Sequence, residues 1–266
     1  SLDLSRITGQ DYQVDGFIVQ NDQTQIWGNA GTGKTTVSVG ISISVIYSEG
    51  FLDHEHPARR GAVLFIASDS GAAPLKGAIQ DFGVAERPEF NEGPGKRFHV
   101  WASDQDQGMS AWSADLQGCI KLLHFVKEYG IDLVIIDSCK AALAGTDLEY
   151  TDNKGVTALL TFFKEVICPH TTVIWVNHDG AKSRGGDCPA GAKAWKEIPS
   201  TVHHITVPFD EETKRPVKSY RQWFVQKNRL GGTRDFLYTF ADGELSVLKG
   251  QTTHGNCHSE LVEGMR

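Results

Sequence analysis

Residues 28–35 read Gly-Asn-Ala-Gly-Thr-Gly-Lys-Thr, and this octapeptide constrains the fold more than any other part of the chain. It fits the phosphate-binding pattern G-x-x-x-x-G-K-[ST] at every fixed position. A short apolar segment, residues 25–27, precedes it, and a segment long enough for a helix follows. A strand, a glycine-rich turn and a helix in this order are typical of a phosphate loop, because the backbone N–H groups and the helix N-terminus attract phosphate. The pattern therefore predicts a nucleotide site.

Two side chains of the loop have specific predicted roles. Lys34 is expected to reach the β and γ phosphates of ATP, and the Thr35 hydroxyl to bind Mg2+. The residues assigned to nucleotide binding are Gly28, Asn29, Ala30, Gly31, Thr32, Gly33, Lys34, Thr35 and Thr36.

The rest of the chain predicts an α/β fold with a mostly parallel central sheet flanked by helices. The continuous apolar run at residues 62–67 is typical of a strand covered on both faces. Residues 131–137 are an apolar run that closes on a carboxylate, and residues 172–177 are a further predicted buried strand. Residues 36–48 alternate as a strand would, yet they are predicted to be a buried helix because a phosphate loop leads into one. Further predicted helices are 73–82, 115–129 and 153–166, and a further predicted strand is 98–101. Antiparallel strands are predicted at 202–207, 219–226, 236–240 and 245–248.

The predicted boundaries are an N-terminal edge segment at residues 1–22, the main domain at 23–249 and a flexible tail at 250–266. The linker at 103–113 is polar and is expected to be exposed. In residues 115–129 the spacing of Leu116, Ile120, Leu123 and either Val126 or Phe125 is that of a helix.

Composition excludes several classes of protein. The net charge of −7 argues against a generally basic nucleic-acid-coating protein, although it leaves a local basic channel open. No apolar run is long enough for a membrane span, so a cytoplasmic location without a membrane partner is expected. Five cysteines without a CxxC pair favour reduced thiols, and His and Cys lack zinc-finger spacing. The chain begins at Ser1, which is consistent with a processed piece of a longer protein.

Three polar residues follow predicted buried strands and are candidates for catalysis. Asp137 ends a strand that we expect to lie beside the phosphate-loop strand, where its carboxylate would bind the metal. Asp69 follows residues 62–67 and could accept a proton from an attacking water, or could simply cap a turn. His178 follows residues 172–177 and could contact the γ-phosphate, although a structural role is the commoner one for such a histidine.

Cations occur in two places in the last third of the chain. Lys227 and Arg229 are two residues apart on a predicted strand, so both should point to one side and could bind a phosphate. A solvated edge strand is the alternative. A glycine-containing segment carries Lys182, Arg184, Lys193 and Lys196, which suits either a nucleic-acid backbone or an ordinary solvent-exposed loop.

The chain resembles the RecA-fold ATPases in an ordered set of features. In chain order these are the phosphate loop, Asp69, Asp137, Asn177-His178, the 182–196 loop and Lys227-Asn228-Arg229. Within that group the chain is most similar to the plasmid- and phage-type hexameric replicative helicases. The likeness spans residues 15–248, so the main domain at 23–249 is interpreted as a RecA-like ATPase core.

The resemblance implies a ring, most simply a hexamer, with ATP between subunits and other replication proteins or flanking domains as partners. Lys34 and Thr35 would hold phosphate and metal, Asp137 would bind Mg2+, and His178 would sense the γ-phosphate. Lys227 and Arg229 would enter the neighbouring subunit's site, with Arg229 as an arginine finger. The loops after Asp137 and His178 would line a channel for single-stranded DNA.

Asp69 departs from the pattern of these helicases, which carry a glutamate there. Among the residues of the predicted channel loops, Trp195 is the one evident candidate for stacking on bases. Two rival functions therefore remain: a nucleotide-switched assembly or signalling ATPase of the same fold, and a phosphotransferase that would need a lid with arginines acting within one chain.

Overall fold

The computed structural model describes residues 11–52, 55–68, 71–102, 112–144, 146–178, 189–210, 212–213 and 215–248. The strands are β1 (Tyr12–Val14), β2 (Ile18–Val19), β3 (Gln23–Gly28), β4 (Ala62–Ala67), β5 (Phe98–Ala102), β6 (Ile131–Asp137), β7 (Thr172–His178), β8 (Thr201–Thr206), β9 (Arg221–Asn228), β10 (Arg234–Ala241) and β11 (Glu244–Val247). The α-helices are α1 (Lys34–Tyr47), α2 (Ala72–Asp81), α3 (Leu116–Tyr129), α4 (Cys139–Leu143), α5 (Asn153–Phe162) and α6 (Ala194–Glu197).

Nine strands form one sheet in the order β11-β10-β9-β8-β3-β7-β6-β4-β5. Every pair from β8 to β5 is parallel, whereas β8–β9, β9–β10 and β10–β11 are antiparallel. The predicted fold class is therefore confirmed: a mostly parallel sheet with antiparallel strands towards the C-terminus.

Two details of the predicted topology were wrong. Strand β8 is antiparallel only to β9 and runs parallel to β3. Strand β6, which carries Asp137, does not lie beside β3, because β7 pairs with both and separates them.

Helices cover both faces of the sheet, and two hydrophobic cores result. Helices α1 and α2 pack with one set of strand side chains, including Val63 and Phe65. Helices α3 to α6 pack on the other face, against side chains such as Leu64 and Ile66. This alternation explains why the parallel strands read as continuous apolar runs.

Residues Lys34–Tyr47 form helix α1, as predicted from their position after the phosphate loop and despite their strand-like alternation. Its buried residues lie on most of its circumference and include Ser38, Ser42 and Ser44 as well as Val37 and Ile41. Small hydroxyl side chains let the helix approach its neighbours, and Ser42 Oγ donates to the Ser38 carbonyl at 2.8 Å.

Helix α3 exists as predicted, but Leu116 and Ile120, two of the apolar residues whose spacing predicted it, do not lie on its buried face. Cys119, Leu122 and Val126 are buried, whereas Leu116 is 67% and Ile120 39% exposed. The helix carries two overlapping apolar stripes, and periodicity alone does not select between them. The buried stripe is selected by tertiary contacts, among them a 2.9 Å hydrogen bond from the Trp112 indole N–H to the Gly118 carbonyl.

Three other segments differ from the prediction. Trp112 is buried, so the exposed linker predicted at 103–113 does not extend to its end; residues 103–111 lie outside the described residues. Helix α4 occupies part of the loop predicted after Asp137. The helix predicted to Val166 ends as an α-helix at Phe162 and continues as a π-helical turn at Phe163–Ile167.

The N-terminal segment lies against the fold as a separate two-stranded sheet, β1–β2, rather than at an edge of the central sheet. Its residues Phe17, Ile18 and Val19 are fully buried. Cys119, Cys139 and Cys168 are buried free thiols, as predicted, whereas Cys188 and Cys257 lie outside the described residues. Within the described residues, none of the helices combines the length and apolar character that crossing a membrane requires.

His203 is fully buried, and we expect its protonation to destabilise the fold in acid. Its Nε2 atom lies 2.9 Å from the Phe17 carbonyl and must donate to it, so Nδ1 accepts the Trp223 indole N–H at 3.1 Å. Burial, with a smaller contribution from Arg234, lowers the pKa of His203 to about 4 from 6.5. As the pH falls, the unfolded chain therefore binds this proton before the folded chain does. The free energy of unfolding decreases as pH drops from 6.5 towards 4, by roughly 3 kcal/mol in total.

Urea unfolding at pH 7 and pH 4 measures this effect. In His203→Gln, which cannot be protonated, the loss of stability between the two pH values should be smaller by about that amount. The exposed His170→Gln variant is the control and should behave as the wild type. Equal acid sensitivity of His203→Gln and the wild type would contradict the assignment.

Candidate nucleotide site

The phosphate loop connects the end of β3 to the start of α1 and has the backbone conformation that its glycines predict. Gly31 has φ +76° and Gly33 φ +89°, a region that other residues rarely adopt. Gly33 is the N-cap of α1, and its carbonyl accepts the Val37 N–H at 2.9 Å. The first N–H groups of a helix lack partners within the helix and attract anions, so this loop ends in a phosphate-binding position.

The loop is pressed against the neighbouring strand at its first glycine. A Cβ atom on Gly28 would lie 2.1 Å from the Ile205 carbonyl oxygen of β8, so a side chain at this position would displace the backbone. Within the loop, Thr32 Oγ1 donates to the Asn29 carbonyl at 3.0 Å. These contacts fix the loop at the carboxyl end of β3.

The Lys34 side chain is buried and folds back over the loop. Its Nζ donates to the carbonyls of Gly28 at 2.9 Å and Asn29 at 2.8 Å. The ammonium group thus lies inside the curve of the loop, where phosphate oxygens are expected.

Thr35 on α1 meets Asp137 on β6, although β7 lies between β6 and the strand that leads into the phosphate loop. Thr35 Oγ1 donates to Asp137 Oδ2 at 2.8 Å. A hydroxyl and a carboxylate are the hard oxygen ligands that Mg2+ prefers, and Mg2+ commonly binds one or two protein oxygens together with phosphates and water. This pair therefore fits the predicted ion.

His178 and Asn177 lie at the end of β7, directly beside the phosphate loop. His178 pairs with Gly28 in the strand register, which puts it next to the first residue of the loop. The Asn177 side chain is buried, and its Oδ1 accepts the His178 backbone N–H at 2.7 Å and the Tyr150 hydroxyl. Tyr150 was not among the predicted site residues, because no local sequence pattern indicates that it contacts β7.

Asp69 lies outside the described residues. The last described residue before it, Ser68, donates its backbone N–H to the Asp137 carbonyl at 2.7 Å. Strand β4 is also the neighbour of β6, so the chain leaves β4 beside Asp137.

Lys227 and Arg229 point to the same place, as predicted, but that place is the other end of the sheet. Lys227 Nζ donates to the Glu197 carbonyl at 2.5 Å, and an Arg229 guanidinium nitrogen donates to the Ile198 carbonyl at 3.2 Å. Burial, with smaller contributions from Arg229 and Lys164, lowers the pKa of Lys227 to about 8.

The register shows how far this pair is from the phosphate loop of its own chain. Asn228 pairs with Thr201, which pairs with Thr24 near the amino end of β3. The phosphate loop follows the carboxyl end of β3, five residues further along, a distance of about 17 Å. Neither side chain can span that distance.

The basic segment is only partly described, because Lys182 and Arg184 lie outside the described residues. Lys193 is exposed, and the chain from Ala194 to Glu197 is helix α6 rather than the predicted loop. The Lys196 carbonyl accepts from Lys227 Nζ at 3.3 Å, so Lys196 lies beside the Lys227–Arg229 pair.

Trp195 does not serve as the stacking residue that the sequence suggested. It is fully buried, with its ring centroid 5.4 Å from Trp175 and 5.8 Å from Tyr150. Helix α6 needs this anchor to pack on the sheet, and packing there removes the ring from solvent.

Comparison with known proteins agrees with the phosphate-loop geometry. Among curated proteins, no relative matches the chain. Residues 1–185, well over half of the chain, match the family described as AAA domain. The chain therefore belongs to the AAA domain family and is a P-loop protein of the ATPase class.

Proposed function

We propose that the chain is an Mg-ATP-dependent motor that assembles into a head-to-tail ring, most simply a hexamer, and acts on single-stranded DNA as a replicative helicase domain. The observation that carries this proposal is the separation of two half-sites. The phosphate loop and Asp137 lie at the carboxyl end of the sheet, whereas the Lys227–Arg229 pair lies about 17 Å away at the other end. Such a pair can assist phosphate chemistry only in another subunit.

Each residue of the proposed site has a chemical task. Lys34 and the N–H groups of the loop bind the phosphates, and Thr35 and Asp137 hold Mg2+. Bound Mg2+ supplies the positive charge that neutralises the phosphate oxygens during transfer. Asp69 would accept the proton of the attacking water, and His178 would contact the γ-phosphate from the end of β7. A neighbour's Arg229 would stabilise the charge that develops in the transition state.

The alternative is a nucleotide-switched assembly or signalling ATPase that does not move on DNA. Three observations favour it: the burial of Trp195, the net charge of −7 and the shorter Asp69 in place of glutamate. The phosphotransferase alternative requires arginines acting within one chain, and the position of Arg229 does not favour it.

ATP turnover measured against protein concentration, with and without single-stranded DNA, tests the proposal. The salt concentration must be fixed, because backbone binding depends strongly on salt. We expect turnover per subunit to rise steeply with concentration and to rise further with a single-stranded oligonucleotide, but less with the same sequence as a duplex. Concentration dependence without DNA stimulation would favour the switched ATPase, and turnover that is independent of concentration would contradict the ring.

A further inference from the structure

Tyr150 lies between α4 and α5 and makes a contact that local sequence does not explain. It is half-buried, and its hydroxyl donates to Oδ1 of Asn177, 27 residues further along the chain. Burial raises the pKa of this hydroxyl, so it stays a proton donor at physiological pH. The segment after β6 is thereby connected to the end of β7.

The Asn177 amide uses both ends and joins three parts of the site. Its Oδ1 accepts from Tyr150 and from the His178 N–H, and its Nδ2 donates to the Ala190 carbonyl at 3.3 Å. The Ala190 N–H in turn donates to the His178 carbonyl at 2.9 Å. One buried amide therefore connects Tyr150, the backbone of His178 and the chain at residue 190.

The backbone and ring of Tyr150 also contact the segment that follows. The Ala192 N–H donates to the Tyr150 carbonyl at 3.3 Å. Gly191 packs so tightly on Tyr150 that an added Cβ would lie 2.6 Å from the ring. Asn153, three residues after Tyr150, accepts the Ala194 N–H at its Oδ1 atom at 3.0 Å. Residues 150–153 and 190–194 thus form one packed unit.

We propose that Tyr150 is a positioning residue that makes residues 146–153 and 189–195 respond together to nucleotide at His178. His178 is the neighbour of Gly28 in the sheet, so a ligand at the phosphate loop would lie beside the end of β7. Any shift of His178 moves the Asn177 amide, and the Tyr150 hydroxyl transmits that movement to the segment after β6. This inference rests on the proposed function for the nucleotide, but it does not require DNA.

Hydrogen exchange with and without a non-hydrolysable ATP analogue and Mg2+ tests the proposal in the wild type and in Tyr150→Phe. The substitution removes one hydroxyl and keeps the ring packed on Trp195. In the wild type, nucleotide should slow exchange in peptides covering 146–153 and 189–195 by about tenfold, the equivalent of one buried hydrogen bond. In Tyr150→Phe this difference should fall below about twofold in 146–153, with nucleotide affinity changed less than about threefold.

Tyr238→Phe is the control, because Tyr238 is a buried tyrosine that lies on β10, away from β7. It should keep the wild-type response. The proposal is overturned if Tyr150→Phe keeps the full response, if Tyr238→Phe loses it as well, or if the wild type binds nucleotide without any change in exchange. Failure of the wild type to bind nucleotide would instead reject the proposed function, and the coupling with it.

Discussion

The Lys34→Ala variant should lose ATP turnover by at least about 10²- to 10³-fold, the usual cost of removing one preorganised charge from a phosphoryl-transfer site. The ammonium lies inside the loop, bonded to the Gly28 and Asn29 carbonyls. Alanine leaves the phosphates without that cation. It also removes one hydrogen bond from each of two carbonyls, at a cost to stability of about 1 kcal/mol each, although the Asn29 carbonyl keeps its bond from Thr32 Oγ1.

Turnover, nucleotide affinity and the thermal melting curve together separate chemistry from folding. The matched control is Lys76→Ala, which removes an exposed lysine from α2 and should change none of the three. If Lys34→Ala retained turnover within tenfold of the wild type, the phosphate-loop assignment of Lys34 would be wrong.

The Arg229→Ala variant should bind ATP normally and lose turnover by about 10³-fold or more, the range known for arginine fingers. The reason is geometric: Arg229 bonds to the carbonyls of residues 197 and 198, level with the amino end of β3. In the proposed ring, Arg229 would therefore act on a phosphate bound by a neighbouring subunit. Arg215→Ala, at another exposed arginine, is the matched control.

Mixing two inactive variants provides the sharper test of action between subunits. In a ring assembled at random from equal amounts of Lys34→Ala and Arg229→Ala subunits, about a quarter of the interfaces combine an intact Lys34 with an intact Arg229. Activity should therefore return to about a quarter of the wild-type value. A mixture that stays inactive, although both variants assemble, would mean that the two residues do not share a site across an interface.

Local chemistry made parts of this molecule predictable from sequence. The phosphate loop is a continuous octapeptide whose spacing is imposed by the phosphates, so it identified β3 and α1 together. Strand β6 reads as an apolar run from Leu133 to Ile136 because these residues are covered on both faces. Thr35 and Asp137 are hydrogen-bonded to each other, but their role as metal ligands stays a prediction, as do the catalytic roles of Asp69, His178, Lys227 and Arg229.

Long-range pairing was not predictable, because no local pattern encodes it. The insertion of β7 between β3 and β6, and the parallel direction of β8, depend on crossovers whose path lies outside the strands themselves. The burial of Trp195 and the choice between the two apolar stripes of α3 depend on neighbours that are distant in sequence. Tyr150 is the clearest example, since it lies between two helices and its hydroxyl donates to Asn177 on β7.

The opposite placement of the two half-sites has a consequence for stoichiometry. If subunits join head to tail, an open chain always has one phosphate loop at one end without a neighbour's arginine, and one arginine at the other end without a phosphate loop. A dimer would then complete one site for two subunits, and only closure would give every subunit a complete site. At saturating ATP, the rate of hydrolysis per subunit would thus be lower in a short open assembly than in a closed ring.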